Sequence, residues 1–198
     1  VLGVAGLVGL PLPLLALQIL WVNLTTDGPP ALALGVEPPE PNLMRRPPRA
    51  ADEPVFTTGM YVAISGMGLI MFVGLLPVFY VYWQAEGVTK GQTMVLVSMI
   101  LFELLRAFSC RSMHFTIVQL GFFSNQWLVL ATLSSALLMG AVIYIPSWAT
   151  AFHTVSIGLS DWGVALGVGG GGFVLVEGGK WLVARRRLTR ARPAAQTH

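Results

Sequence analysis

From Tyr61 to Trp83 the chain reads YVAISGMGLIMFVGLLPVFYVYW, without one charged side chain. A bilayer crossing needs about 20 mainly apolar residues in succession, and this stretch supplies them. The pattern recurs further along. Phe115–Ser160 holds no Asp, Glu, Lys or Arg, only His153 as a group that could take up a proton near neutral pH. Of all 198 residues, 55% are hydrophobic and 11% charged, with a mean hydropathy of +0.71. A soluble domain carries about 25% charged residues. The expected fold class is therefore all-α, a polytopic transmembrane helix bundle.

Working along the chain, we expect five spans and an N-terminal stub. Val1–Gly9 is too short to cross and reads as the end of a truncated helix, followed by a turn at Pro11 and Pro13. The first span covers Leu14–Leu34 and is expected to be unwound at Asp27-Gly28-Pro29-Pro30, because each proline removes a backbone donor and clashes with the preceding turn. A proline-rich loop, Gly35–Pro54, comes next. The second span is Phe56–Trp83, with Gln84–Gly91 as a polar turn, and the third is Gln92–Ser109. A connector over Cys110–Asn125 leads to the fourth span, Gln126–Ile145. A second connector, Pro146–Ser160, leads to the fifth, Asp161–Val183. The transmembrane domain thus occupies 10–184, and a basic tail occupies 185–198. No secretory signal is visible at the start, and the absence of an initiator Met suggests that the chain begins inside a longer protein.

The formal charge of +3 is unevenly placed. With five alternating spans, Arg45, Arg46, Arg49, Arg106, Arg111, Lys180 and the arginines of the tail fall on one side. Of the 12 Lys and Arg, only Lys90 falls on the other. The positive-inside rule makes the crowded side cytoplasmic, with the C-terminus there. The tail reads as a topology anchor able to meet anionic lipid headgroups. Nucleic-acid binding is not expected, since no recognition module is present. The single cysteine, Cys110, excludes an internal disulfide and a thiolate cluster. Gly167–Gly172 lacks the Lys-Ser/Thr of a phosphate loop and reads as a close-packing surface between helices. His114, His153 and His198 stand apart from acidic neighbours and suggest no metal or catalytic role.

Three carboxylates fall within spans, where an ionised group is costly and normally faces the bundle interior or a polar path. Glu177, three residues before Lys180, reads as a structural ion pair. Asp27 lies in Trp21-Val22-Asn23-Leu24-Thr25-Thr26-Asp27-Gly28-Pro29-Pro30, where the helix must break. Broken backbone at membrane depth survives where it lines a cavity or is buried in protein. Carboxylate, amide, hydroxyl and freed carbonyl oxygens are hard ligands of the kind that hold calcium or magnesium. Asn23 and Asp27, four residues apart, face one way. The competing reading is a kink whose polar groups satisfy one another. Glu103, mid-span, either pairs with Arg106 three residues on or turns inward as a second cation ligand.

The stretch from Leu15 to Arg49, containing LQILWVNLTTDGPPALALGVEPPEPNLMRRPPR, resembles the sixth membrane helix and following cytoplasmic loop of type II P-type ATPases. Among them it is most similar to calcium pumps of the sarcoplasmic-reticulum and secretory-pathway kinds and their bacterial relatives. FELLRAFSCRS at Phe102–Ser112, FSNQWL at Phe123–Leu128, FHTVSIGLSDW at Phe152–Trp162 and VEGGKWL at Val176–Leu182 follow in the family's order. The resemblance implies that Asn23, Thr26 and Asp27 bind the transported calcium ion, and that Glu103 holds the acidic position of the eighth helix. It makes the five spans helices six to ten, with Gly35–Pro54 facing the phosphorylation domain.

No DKTGT phosphorylation motif, nucleotide domain or actuator domain occurs in the sequence. The resemblance therefore implies partners: the rest of the pump, with helices one to five and the domains that use Mg-ATP. It also implies that this chain is inactive alone. Two other readings stand beside it, a freestanding non-enzymatic membrane subunit or cation-binding module, and a piece of a pump specific for manganese, sodium or protons. The expected location is a bacterial plasma membrane.

Overall fold

In a computed structural model the described residues are 1–39, 44, 58–112 and 115–191, with the side chains of 58 and 183–191 excepted. The loop arginines Arg45, Arg46 and Arg49, His114, and the tail from Arg192 to His198 lie outside them. Among the described residues the regular structure is helical throughout: α1 (Leu2–Val8), α2 (Ala16–Val22), a π-helical turn (Asn23–Asp27), α3 (Gly28–Gly35), α4 (Thr58–Glu86), α5 (Val88–Ser109), α6 (Ile117–Leu120), α7 (Gln126–Tyr144), α8 (Pro146–Phe152) and α9 (Leu159–Ala191).

Four helices, α4, α5, α7 and α9, are long and apolar enough to cross a membrane. The protein is an integral, multi-pass membrane protein. The first expected span is composite. α2, the π turn and α3 follow one another from Ala16 to Gly35, about the 20 residues a crossing requires. It does not unwind at Asp27-Gly28-Pro29-Pro30 as expected. Pro29 and Pro30 fall in the first turn of α3, where their fixed φ suits the helix, although they offer no N–H to the carbonyls of the preceding turn. The departure from α geometry lies just before them, in the widened turn.

Other boundaries shift for readable reasons. The polar turn expected over Gln84–Gly91 contracts to Gly87, whose φ of 97° suits glycine. Helix continues on both sides of it, bridged by Glu86 and Lys90 at 3.6 Å, one turn apart. Both connectors contain short helices, and α8 begins at Pro146, a residue well suited to that position.

α5 stands at the centre, packed against α4, α9, α7 and α2. Gly91–Ser98, Ile100, Phe102 and Leu104 are buried along it. α4 is the most apolar of the four long helices and the least buried. That inversion fits a lipid solvent, in which the outside of the bundle carries the apolar side chains. α9 approaches α5 through the glycine run. A Cβ on Gly169 would lie 3.0 Å from Leu101 Cβ and 3.1 Å from Phe102 N, so the small side chain sets the helix separation there.

Ion pairs tie the helix ends. At one end Asp161 of α9 accepts from Lys90 Nζ (2.5 Å), Tyr82 OH (3.0 Å) and Gly158 N (2.9 Å), joining α4, α5 and α9. At the other, Glu177 accepts from Ser109 Oγ (2.7 Å), Ile117 N (2.9 Å) and Lys180 Nζ (3.0 Å). The expected Glu177–Lys180 pair is therefore present, and it also holds the start of α6.

Candidate cation-binding site

The composite span owes its shape to NLTTDGPP. Thr25 Oγ1 donates to Trp21 O at 2.8 Å and Thr26 Oγ1 to Val22 O at 2.8 Å. Such back-bonding is how hydroxyls settle in a helix and bend it. Thr25 and Thr26 are buried, and the turn packs against α5 and α7. Asn23 and Asp27 point the other way and are exposed. Amide and carboxylate thus share an open side, while Thr26 sits behind them with its oxygen still able to accept.

The end of α3 is fixed by a buried polar network. Asn125 Nδ2 donates to Ala33 O at 2.9 Å and to Glu37 Oε2 at 2.6 Å, while its Oδ1 accepts from Leu128 N at 3.0 Å and caps α7. The Arg111 guanidinium pairs with Glu37 at 2.7 Å, donates to Gly121 O at 2.8 Å and contacts Ser124 Oγ. In the π turn before α3, Ser135 Oγ of α7 donates to Thr25 O at 2.6 Å.

Among the described residues, Glu37, Glu86, Glu103, Asp161 and Glu177 each stand beside a Lys or Arg, and Asp27 alone does not. Glu103 sits beside Arg106, whose Nε donates to Glu103 Oε2 at 2.6 Å and whose Nη2 also contacts it. The pair lines a cavity of about 190 Å³ between α4 and α5. No hydrogen bond joins Glu103 to Asn23, Thr26 or Asp27 among the described residues, nor do three or more His, Cys, Asp or Glu side chains converge among them. The structure thus places Asn23 and Asp27 on the exposed side of the π turn and Thr26 on its buried side, and leaves Glu103 on the arginine.

Sequence reasoning passed over Arg111, Asn125 and Ser135. The first two sit inside FSCRS and FSNQWL, motifs noticed as landmarks but given no task. Ser135 had a signal in the double proline, which strips donors from nearby carbonyls and calls for a replacement from another helix.

Residues 11–182 match the family model described as Cation transporting ATPase, C-terminus. The chain belongs to this family. A calcium-transporting ATPase of Bacillus subtilis is 39% identical over 166 residues, covering 83% of this chain and 18% of that protein. Calcium-transporting ATPase type 2C member 2 of Mus musculus is 36% identical over 187 residues, covering 93% of this chain and 20% of its own length. Calcium-transporting ATPase 1 of Yarrowia lipolytica is 35% identical over 163 residues, covering 81% and 18%. The chain spans about a fifth of the length of these relatives and corresponds to the C-terminal membrane portion of a cation-transporting ATPase.

Proposed function

We propose that this chain supplies part of the ion-binding site of an ATP-driven calcium pump. Asn23, Thr26 and Asp27 are its oxygen donors, and calcium is the transported substrate. The observation that carries this reading is the state of Asp27. It is the one described carboxylate without a basic partner, exposed beside Asn23 on a π-helical turn within an apolar chain. A carboxylate at membrane depth marks a polar or ion path, and an amide, a hydroxyl and a carboxylate are the hard ligands calcium takes. These three residues make only part of a shell of six to eight oxygens, and the rest come from other helices of the pump. Glu103 is a secondary donor that must leave Arg106 to take part.

The energy source lies outside this chain. Mg-ATP phosphorylates an aspartate in the catalytic domains, and the resulting conformational change carries the ion across the membrane. Alone, this chain does not hydrolyse ATP. Arg106, Arg111 and Lys180 gather toward one end of the bundle and Lys90 stands toward the other, which supports a cytoplasmic C-terminus.

The test is Asp27→Asn in the complete pump carrying this sequence. Calcium-dependent phosphorylation from ATP is expected to disappear, while protein level in the membrane stays normal. A wild-type phosphoenzyme in that variant would refute the site.

A further inference from the structure

Pro29 and Pro30 place the Thr25 carbonyl in a special position. In α geometry its donor is the amide of residue 29, and in π geometry that of residue 30. Both are prolines, so neither register offers an N–H. A buried carbonyl without a donor is costly, and Thr25 is only 3% exposed. Ser135, 1% exposed, fills the gap from another helix at 2.6 Å. Its neighbours behave differently. Thr132 Oγ1 donates to Leu128 O at 2.9 Å and Ser134 Oγ to Ala131 O at 2.8 Å, both within α7. Ser135 is the hydroxyl of this group that reaches across, and the carbonyl it reaches lies between Asn23 and Asp27 in the chain.

We propose that Ser135 is a positioning residue for the cation site. Its hydroxyl holds the Thr25 carbonyl against α7, fixes the widened turn, and so sets the direction in which Asn23 and Asp27 present their oxygens. The inference rests on the calcium reading above and deepens it. Ser135 touches no ion itself; it acts through the backbone of the turn.

Calcium-dependent phosphorylation from ATP, measured in the complete pump, tests it. Ser135→Ala is expected to raise the half-saturating calcium concentration about fivefold, in line with the net worth of one buried hydrogen bond. The maximal phosphoenzyme level and the ATP dependence stay as in wild type. Ser135→Thr keeps a hydroxyl and is expected to restore the calcium response. An unshifted Ser135→Ala overturns the inference, and so does a Ser135→Thr shifted as far as the alanine variant, since packing would then be the cause. If the variants fail to accumulate, infrared spectroscopy of wild-type protein carrying a site-specific ¹³C=¹⁸O label at Thr25 decides the matter. The amide band of a hydrogen-bonded carbonyl is expected, and that of an unbonded one overturns the inference. A wild-type pump indifferent to calcium overturns the calcium reading and this inference together, whereas a calcium-dependent pump with unshifted Ser135→Ala overturns this inference alone.

Discussion

Arg111→Met removes a charge while keeping most of the stem volume. The Arg111 side chain is 1% exposed and that of Glu37 17%. The substitution takes from Glu37 its 2.7 Å ion pair and leaves it the 2.6 Å bond from Asn125 Nδ2. It also strips the guanidinium from Gly121 O. Removing one partner of a buried ion pair costs ~3–5 kcal/mol, much of it from the stranded charge. Because Glu37 keeps a strong donor and some solvent contact, the lower end applies, about 3 kcal/mol. At 1.4 kcal/mol per decade in an equilibrium constant, that is on the order of a hundredfold.

Membrane proteins in detergent commonly lose their fold irreversibly, so the useful observable is a half-life at fixed temperature, followed here by the fluorescence of the 6 tryptophans. Arg111→Met is expected to shorten it by one to two orders of magnitude, depending on how much of the network persists in the unfolding transition state. Adding Glu37→Gln removes the stranded charge and keeps an acceptor for Asn125, so the double variant is expected to outlast the single one. A half-life for Arg111→Met within twofold of wild type refutes the assignment of a buried, consequential pair. A double variant no better than the single refutes the stranded-charge explanation and leaves geometry as the cause.

Two further substitutions probe the bundle itself. Gly169→Leu pushes α9 away from the α5 backbone and is expected to lower the thermal midpoint by several degrees, whereas Gly170→Leu, with nothing within 4 Å of its added Cβ, is expected to leave it unchanged; equal effects would deny the close approach. Lys90→Met strips the 2.5 Å partner from Asp161, which keeps Tyr82 and Gly158, and is expected to cost about 3 kcal/mol, with partial recovery on adding Asp161→Asn; a midpoint unmoved by Lys90→Met would show that the pair does not hold these helices together.

What the sequence disclosed follows from what lipid demands. Apolar runs such as Tyr61–Trp83 announce themselves because hydrocarbon tolerates little else, and they gave the spans of α4, α5, α7 and α9 to within a few residues. Helix ends were harder to place. Gln84, Glu86 and Lys90 look like turn residues, yet Lys90 finds Asp161 and Glu86 in the fold, so polar side chains stay helical to the last turn before Gly87. The form of the break in the first span was also hidden. Two consecutive prolines predict lost donors but do not say whether the chain responds with extended backbone or with a widened turn. The widened turn that forms takes a hydrogen bond from Ser135, 110 residues away in sequence. Glu103 shows the same limit, since Arg106 lies at pairing distance whether or not the carboxylate also serves an ion.

The hydrogen bonds around α3 constrain how Asp27 can move. α7 grips this segment at two points, through Ser135 on the Thr25 carbonyl of the π turn and through Asn125 on the Ala33 carbonyl near the end of α3. Between these grips lie the end of the π turn and most of α3, a rod of roughly 12 Å at 1.5 Å per residue. A rod held at two points against a second helix cannot pivot about either point alone. Asp27, at its start, and Glu37, just past its end, therefore move together with α7 or not at all. Glu37 is also where Arg111 fastens the connector after α5. Any displacement of the segment beyond Glu37 must then break the Glu37–Arg111–Asn125 network or carry Asp27 with it. The first route costs several kcal/mol by the reasoning applied to Arg111→Met, and the second keeps the Ser135 and Asn125 bonds to this segment. Joint motion of α3 and α7 changes the position of Asp27 while keeping the Ser135–Thr25 bond of the turn.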